Sequence, residues 1–368
     1  MPGLTRLTCA LWLTASLLGG TPAATHAATT APASTTSAGT AADAPITLRV
    51  VGGLANVNQF TRHEEPFWTR ELPQLTGGKL NGEVTAFDRA GIRGQDMLRL
   101  MQLGVVPFGT ALLSLSGVQE PLLAAPDLAG LNPDIAALRK HTHAFRPVMA
   151  STLRERYGIE LLAVYVYPAQ MLFCNRPFSG LGDLSGRRIR TTGTSQADWV
   201  EAVGATPVPL PFASIVGNLR SSNIDCAITG SMSGNTIGLP DLTTHIHSLA
   251  ISWGMAVFGA NGDAWGALTT GQRQLLKVEL GKLETRIWDE ASRETGDGVA
   301  CNIGASQCQA GRKGAMTEVR ATPQDERRRR EIFASTVLAR WVQRCGTSCA
   351  EAWNHHLAPV SGITARQP

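Results

Sequence analysis

The sequence has no strong excess of charge of either sign, since 33 lysines and arginines stand against 29 aspartates and glutamates. A net charge of +4 does not favour a nucleic-acid partner, whose phosphates require many basic contacts. The dense basic run Arg327–Arg330 lies between acidic residues, which is typical of a solvated helix face. The sequence also has no Gly-x-Ser-x-Gly, P-loop or His-Glu-x-x-His motif. These absences favour a binding protein over an enzyme, with no catalytic residues and no cofactor.

After the N-terminal segment, the sequence has no apolar run of the roughly 20 residues that a membrane-spanning helix needs. Within residues 1–27, Arg6 precedes the apolar run Leu7–Leu18, and Thr25-His-Ala27 is a small-residue cleavage site. This pattern predicts a signal peptide, with a retained membrane anchor as the alternative. Residues 28–45 are almost only Ala, Thr, Ser, Gly and Pro, which predicts a flexible leader. We therefore expect a periplasmic protein.

The cysteine count is even once the predicted signal is set aside: Cys174, Cys226, Cys301, Cys308, Cys345 and Cys349. An even count in an exported chain favours disulfides. The close spacings favour Cys301–Cys308 and Cys345–Cys349, and they leave Cys174 and Cys226 to pair or to stay free. A zinc site is the competing interpretation, but no Cys-x-x-Cys is present, and the two His-x-His pairs do not supply a ligand set. We expect no metal.

Alternating strand and helix patterns predict an α/β fold. Strands are expected at Ile46–Val51, Gly82–Phe87 and Val105–Leu113, with helical spacing between them. This alternation indicates a mostly parallel sheet covered by helices. A further strand ends at Pro168, where we expect the chain to cross into a second lobe. From Thr270, about 25 residues with helical spacing would extend roughly 37 Å, which is enough to bridge two lobes.

The mature chain is long enough for two lobes of ordinary domain size. We expect the first lobe at residues 46–167 and 251–280. The second lobe is expected at residues 168–250 and 281–345, followed by a C-terminal tail at residues 346–368.

The most informative segment is Asp183-Leu-Ser-Gly-Arg-Arg-Ile-Arg190, which predicts a strand that carries Arg190 to its carboxyl end. Val203–Pro209 and Asn223–Ile228 then predict two more strands, with helices between them. Ligands of open α/β sheets bind outside the carboxyl ends of the strands. A guanidinium at that position presents a planar set of donors that matches a carboxylate or a phosphate. Arg187 and Arg188 are expected to be solvated.

The order and spacing of these segments resemble the extracytoplasmic solute receptors of TRAP transporters, the C4-dicarboxylate-binding receptor family. The resemblance covers roughly residues 46–290. It implies a two-lobe periplasmic binding protein with a lobe-bridging helix, in which Arg190 binds the carboxylate of a small organic acid. It also implies partners, namely the small and large membrane subunits of a permease.

Further ligand-binding residues are expected from this resemblance and from local chemistry. Family members often have a second arginine at the position of Gln170, which here would donate only a neutral hydrogen bond. The hydroxyls of Thr229 and Ser231 follow a predicted strand, where small residues allow close approach of a ligand. Phe212 and Trp253 are candidates for the walls of the cleft, because aromatic faces supply apolar contact. Asn56 follows the first strand and is expected to face the cleft.

The sequence leaves two alternative functions open. One is a periplasmic α/β enzyme that acts on a small carboxylate, and the other is a sensor that reports a ligand to a signalling partner. Neither the identity of the acid nor the oligomeric state follows from the residues.

Overall fold

The computed structural model describes residues 44–367, so the predicted signal peptide and most of the predicted leader lie outside the described residues. The strands follow in chain order: β1 (Ile46–Gly52), β2 (Leu80–Ala86), β3 (Phe108–Leu112), β4 (Ile159–Val166), β5 (Gln170–Cys174), β6 (Arg188–Thr191), β7 (Thr206–Pro209), β8 (Cys226–Gly230), β9 (His245–Ser252), β10 (Met255–Asn261) and β11 (Thr317–Val319). Within this part of the chain, no helix is both long and apolar enough to cross a lipid bilayer.

The helices vary from single turns to one long rod. The α-helices are α1 (Leu72–Leu75), α2 (Met97–Gln102), α3 (Leu113–Ser116), α4 (Ile135–Tyr157), α5 (Thr194–Ala202), α6 (Ile215–Arg220), α7 (Ser231–Thr236), α8 (Gly262–Gly266), α9 (Thr270–Asn302), α10 (Pro323–Ile332), α11 (Leu338–Cys345), α12 (Thr347–Ala352) and α13 (Ala358–Ser361). Short 3-10 and π-helical segments complete the set: Gln59–Glu64, Phe67–Glu71, Gly94–Asp96, Pro121–Asp127, Leu181–Leu184, Phe212–Ser214, Leu239–Asp241, Phe333–Val337 and Trp353–Leu357.

The first lobe is built on a five-stranded sheet in the order β2-β1-β3-β10-β4. β1 pairs in parallel with β2 and β3, whereas β10 runs antiparallel to both β3 and β4. Every residue of β3 and β10 is buried, as expected for central strands that are covered on both faces. Trp68 packs against Phe258 of β10 with ring centroids 5.4 Å apart, so a helical layer is fixed to the middle of the sheet.

The second lobe is built on a six-stranded sheet in the order β11-β9-β5-β8-β6-β7. β6 pairs in parallel with β7 and β8, and β5 runs antiparallel to β8 and β9. The predicted two-lobe α/β architecture is therefore confirmed, with mixed sheets. Each sheet is mixed because a strand next to a lobe crossing, β5 or β10, returns in the opposite direction.

The lobes are joined by two crossings of the chain and by α9. The chain passes from β4 to β5 at residues 167–169 and returns from β9 to β10 at residues 253–254. The predicted long helix is confirmed, and its first turn is closed by a reciprocal capping box between Thr269 and Gln272. On one side, Trp288 of α9 donates its indole N–H to the carbonyl of Val164 at 2.8 Å. At the far end, Asn302 donates to the carbonyl of Ser231 at the start of α7 at 2.9 Å, so α9 is fixed to both lobes.

The C-terminal segment is helical and packs on the rest of the protein. Trp341 of α11 donates its indole N–H to the carbonyl of Pro121 at 2.8 Å, and Arg344 pairs with Asp198 of α5 at 2.5 Å. Within the segment expected to be a tail, Trp353 is completely buried and donates to the carbonyl of Ile363 at 2.8 Å.

The described cysteines form three disulfides. Two are the local bridges that the spacings favoured, Cys301–Cys308 and Cys345–Cys349. The third joins Cys174 of β5 to Cys226 of β8, which face each other in the register of these antiparallel strands.

Candidate ligand-binding site

Arg190 lies on β6, as predicted, and its guanidinium is held by backbone carbonyls of the second lobe. Burial of Ile189 in the sheet core fixes the strand, and β7 and β8 flank it in parallel. Nε of Arg190 donates to the carbonyl of Leu210 at 2.9 Å, and Nη1 donates to the carbonyl of Ile228 at 2.8 Å. The side chain is therefore oriented before any ligand arrives, although it is only 2% exposed.

The charge of Arg190 has no counterion in the described part of the chain, where no carboxylate pairs with it. Burial lowers the pKa of its guanidinium to about 9, because water no longer stabilises the charged form. The group still carries its proton at neutral pH. A buried, protonated guanidinium without a carboxylate partner can pair with an anion.

The two neighbouring arginines, Arg188 on β6 and Arg187 directly before it, have structural roles. Arg188 forms two hydrogen bonds with the carboxylate of Asp225, at 2.9 and 3.1 Å, near the surface. Arg187 is buried, which corrects the expectation that it is solvated. It donates to the carbonyls of Pro177, Arg176 and Asp183 at 2.6, 2.9 and 3.0 Å. The loop before β6 folds around this guanidinium and satisfies it, so it is not free for a ligand.

Arg190 opens into a small cavity of about 50 Å³ between the two lobes. One wall comes from the first lobe and is apolar: Leu54, Phe87, Leu112 and Leu115. The other side combines the lobe crossing and the second lobe: Tyr167, Gln170, Arg190, Thr192, Phe212, Thr229, Gly230 and Ser233. No aspartate or glutamate lines this cavity, so Arg190 supplies its only formal charge.

Gln170 lines the cavity, and one N–H of its amide is already used within the protein. Its Nε2 donates to the carbonyl of Pro168 at 3.0 Å, which identifies that end of the amide as the nitrogen. A Cβ at Gly230 or Gly254 would lie 3.2 Å from the same nitrogen, so this end is enclosed by two glycines. Within the described chain, Oε1 has no hydrogen-bond partner, and the residue lines the cavity. The oxygen and the second N–H of this amide therefore both remain for a ligand.

The other predicted ligand residues fall into two groups. Thr229 lines the inner cavity, Phe212 lines both this cavity and a larger one, and Asn56 lines the larger one. The larger cavity has a volume of about 560 Å³ and forms the open part of the cleft, with Phe212 at the boundary. Ser231 and Trp253 line neither of these two cavities.

Ser231 and Trp253 are occupied in packing. Residues 231–236 form helix α7, and the Ser231 hydroxyl donates to the carbonyls of Thr295 and Glu294 at 3.1 and 3.2 Å. Trp253 is 3% exposed, and its indole N–H donates to the carbonyl of Asn132 at 3.3 Å. The structure does not bring these two side chains to Arg190.

Sequence reasoning missed Tyr167, which is the last residue before Pro168 at the crossing. Tyr167 lines the cavity, and its buried hydroxyl lies against Gly53 of the first lobe. The crossing itself was the available signal, because residues at a hinge between lobes lie beside the cleft. The apolar wall was also missed, since its residues look like ordinary core positions in the sequence.

A buried carboxylate supports the first-lobe wall from behind. Glu64 accepts hydrogen bonds from the Thr110 hydroxyl at 2.7 Å, from the Gln59 amide at 3.0 Å and from the backbone N–H of Gly53 at 3.2 Å. Leu54, which lines the cavity, follows Gly53 directly. Burial raises the pKa of Glu64 to about 7, since these hydrogen bonds only partly replace water.

The lobes touch at a glycine next to Arg190. A Cβ on Gly193 would overlap the backbone carbonyl oxygen of Ser114 in the first lobe. Gly193 has an extended backbone that any residue adopts, so the need for glycine here comes from the contact and not from its conformation.

The protein has two α/β lobes, three connections between them and, at the junction, a buried arginine without a carboxylate partner in the described chain. These features define the class of two-lobe ligand-binding proteins. More specifically, residues 57–300 match the family model for bacterial extracellular solute-binding proteins, family 7, and the chain belongs to this family. The predicted membership among TRAP solute receptors is confirmed, as is the predicted role of a solute-binding protein in transport.

Known relatives cover different shares of the chain. The ectoine-binding periplasmic protein TeaA of Halomonas elongata is 27% identical over 130 residues, which are 35% of this chain and 38% of TeaA. The Bordetella pertussis receptor DctP7, solved as a protein that binds pyroglutamic acid, is 22% identical with a TM-score of 0.74, over 84% of this chain and 99% of DctP7. A TRAP periplasmic solute-binding protein of Shewanella oneidensis, solved with bound succinate, is 18% identical with a TM-score of 0.72, over 84% and 98% of the two chains. At these identities the two structures show a shared fold.

Proposed function

We propose that this protein is the periplasmic receptor of a TRAP transporter, and that it captures a small organic acid by pairing the acid's carboxylate with Arg190. The observation that carries this proposal is the guanidinium itself, which is 2% exposed, held by two carbonyls and without a carboxylate partner in the described chain. A buried charge without a partner is costly, and a ligand carboxylate offsets that cost with charge-assisted hydrogen bonds.

The other groups at the cavity complete the complex. The Thr229 hydroxyl and the Gln170 amide provide neutral hydrogen bonds, and Leu54 with its apolar neighbours covers the carbon skeleton. Phe212 separates the inner cavity from the outer one, where Asn56 lies. Ligand binds while the lobes are apart, and hinge closure at the two crossings then encloses it.

Delivery requires partners in the membrane. We infer that the closed, loaded receptor docks on the small and large permease subunits, which open it and take up the acid. The protein itself performs no chemistry on its ligand, in keeping with a family of solute-binding proteins.

The first test identifies the ligand and the role of Arg190 together. Mass spectrometry of the small molecules released from purified protein names the acid, and calorimetry then measures its affinity for wild type, Arg190→Met and Arg188→Met. Arg188 lies on the same strand but pairs with Asp225 near the surface, so it is a matched control. We expect Arg188→Met to bind like wild type and Arg190→Met to lose roughly 30-fold to 5,000-fold in affinity, as for one partner of a buried charge pair. Equal affinity of wild type and Arg190→Met, or turnover of the acid, contradicts the proposal.

A further inference from the structure

We propose that Asp127 is a positioning residue of the ligand site. Its carboxylate holds the return crossing at residues 253–254, and this crossing holds Tyr167 and Gln170 beside the inner cavity. This role rests on the proposed function, because it takes the inner cavity as the place where the acid binds. Asp127 does not line that cavity, so it acts through the residues that do.

The carboxylate of Asp127 accepts hydrogen bonds from two successive backbone N–H groups of the return crossing. Oδ1 accepts from the N–H of Trp253 at 2.9 Å, and Oδ2 accepts from the N–H of Gly254 at 2.8 Å. These two residues lie between β9 and β10, so their N–H groups are not paired within a sheet. Backbone donors that lose their acceptor away from water cost free energy. The carboxylate therefore fixes the path of the backbone through this crossing.

The segment that carries Asp127 is itself attached to the second lobe. Gly130 donates its backbone N–H to the carbonyl of Ile251, near the end of β9, at 2.7 Å. Arg329 of α10 donates to the carbonyl of Leu131 at 3.3 Å. The carboxylate therefore holds the crossing from a fixed support.

Gly254 connects the return crossing to the ligand cavity. Its carbonyl accepts the backbone N–H of Tyr167 at 3.1 Å, so the two crossings are hydrogen-bonded to each other. A Cβ on Gly254 would lie 3.2 Å from Nε2 of Gln170 and 3.6 Å from Cβ of Tyr167, so the glycine backbone packs directly against both residues. Its φ of 72° also favours glycine. A shift of Gly254 would therefore move two residues that line the cavity.

The variant Asp127→Asn keeps the size of the side chain and removes one of its two acceptors. One N–H of the crossing then faces an amide N–H group in place of a carboxylate oxygen. Asp297→Asn is a matched control, because the Asp297 carboxylate accepts the backbone N–H groups of Gln309 and Ala310, in the loop after α9, at 2.7 and 2.8 Å. Desolvation raises the pKa of Asp127 to about 7, so the proteins are compared at pH 8, where its carboxylate is largely ionised.

Hydrogen exchange of the ligand-free proteins, followed by mass spectrometry, measures both crossings directly. For Asp127→Asn we expect peptides that contain residues 253–254 or residues 167–170 to exchange roughly 10-fold to 100-fold faster than in wild type. For Asp297→Asn, faster exchange should be confined to the loop that contains residues 309–310. A purely local structural role of Asp127 would accelerate exchange at residues 253–254 and leave residues 167–170 unchanged.

Calorimetry with succinate and pyroglutamate as probes measures the effect on binding. We expect Asp127→Asn to bind whichever acid wild type binds roughly 10-fold more weakly, because the site is less well ordered before binding. Asp297→Asn should match wild type.

The outcomes for Asp127 are distinct from those for the proposed function. Unchanged exchange at residues 167–170, or a wild-type affinity of Asp127→Asn, overturns the positioning role and leaves the role of Arg190 untouched. If wild type binds neither acid, the exchange comparison alone decides whether Asp127 positions the site. The comparison of Arg190→Met with Arg188→Met decides the proposed function separately.

Discussion

Two arginines three residues apart, Arg187 just before β6 and Arg190 on it, should respond in opposite ways to the same substitution. Arg187 and Arg190 are both buried, and each is to be replaced by methionine, which keeps much of the side-chain volume without the charge. We expect Arg187→Met to destabilise the protein and leave ligand binding intact. Arg190→Met should leave the ligand-free protein about as stable as wild type and remove binding.

The magnitudes follow from the contacts. For Arg190, a pKa of about 9 means that burial of the charge costs roughly 5 kcal/mol relative to an ordinary arginine. Its two hydrogen bonds to carbonyls contribute about 1.5–3 kcal/mol each, so the two effects nearly cancel. Burial lowers the pKa of Arg187 as well, but three such bonds and a contact with the Phe178 ring, 5.5 Å from the guanidinium carbon, favour its charged form. We expect a loss of about 2–4 kcal/mol for Arg187→Met and a change within about 2 kcal/mol for Arg190→Met.

The assay is chemical denaturation of the ligand-free protein, combined with calorimetry of the acid recovered from it. Unfolding midpoints and slopes give the free energy of unfolding, and an unchanged slope confirms that the same transition is compared. If Arg190→Met loses as much stability as Arg187→Met and still binds, the guanidinium of Arg190 is a structural group and the reasoning is refuted.

Three other perturbations test separate parts of the structure. Gly193→Ala should weaken ligand binding roughly 10-fold to 100-fold, because the methyl group of the new alanine opposes the contact between the lobes at Ser114. The melting temperature of the ligand-free protein should change little, and an affinity equal to that of wild type would show that the lobes close elsewhere. Replacing Cys174 and Cys226 by serine should cost about 4 kcal/mol, since the bridge closes a loop with a sequence separation of 52, and denaturation under oxidising conditions measures it. Burial raises the pKa of Glu64 to about 7, so its contribution to stability is complete at acidic pH and is lost as the pH rises towards 7. The difference in unfolding free energy between wild type and Glu64→Gln should therefore change by about 3 kcal/mol between pH 4 and pH 8, and a constant difference would mean that this carboxyl does not titrate there.

Much of the second lobe could be predicted from local patterns. The strand that carries Arg190 has a buried Ile189 between polar neighbours, and this alternation is visible without a structure. The long helix was equally accessible, because apolar spacing over many turns and the Thr269 cap are local features. The antiparallel directions of β5 and β10 could not be predicted, because an extended apolar run has the same composition in either direction.

The orientation of the polar side chains at the site could not be predicted, because it depends on contacts between residues that are distant in the sequence. The direction of the Gln170 amide is set by Pro168 and by two glycines, one of them 84 residues further along the chain. The sequence around Arg187 shows only a basic run, whereas the loop that satisfies this guanidinium lies ten residues earlier. Helix α7 at Ser231 could not be predicted, because it begins directly after β8 and its N-cap, Gly230, has no side chain to mark the start of a helix.

The position of β10 has a consequence for how the chain reaches its native state. This strand lies between β3 and β4, yet it is made after the entire second sheet apart from β11. Only β10 pairs with both β3 and β4 among the described strands, so these two strands are not joined until residue 261 has been made. The first lobe therefore cannot form from its own N-terminal segment. Contacts between residues so distant in sequence form late in folding. A fragment that ends before β10 should therefore fail to yield a stable first lobe, and the protein cannot be divided into two independently folding halves at the first crossing.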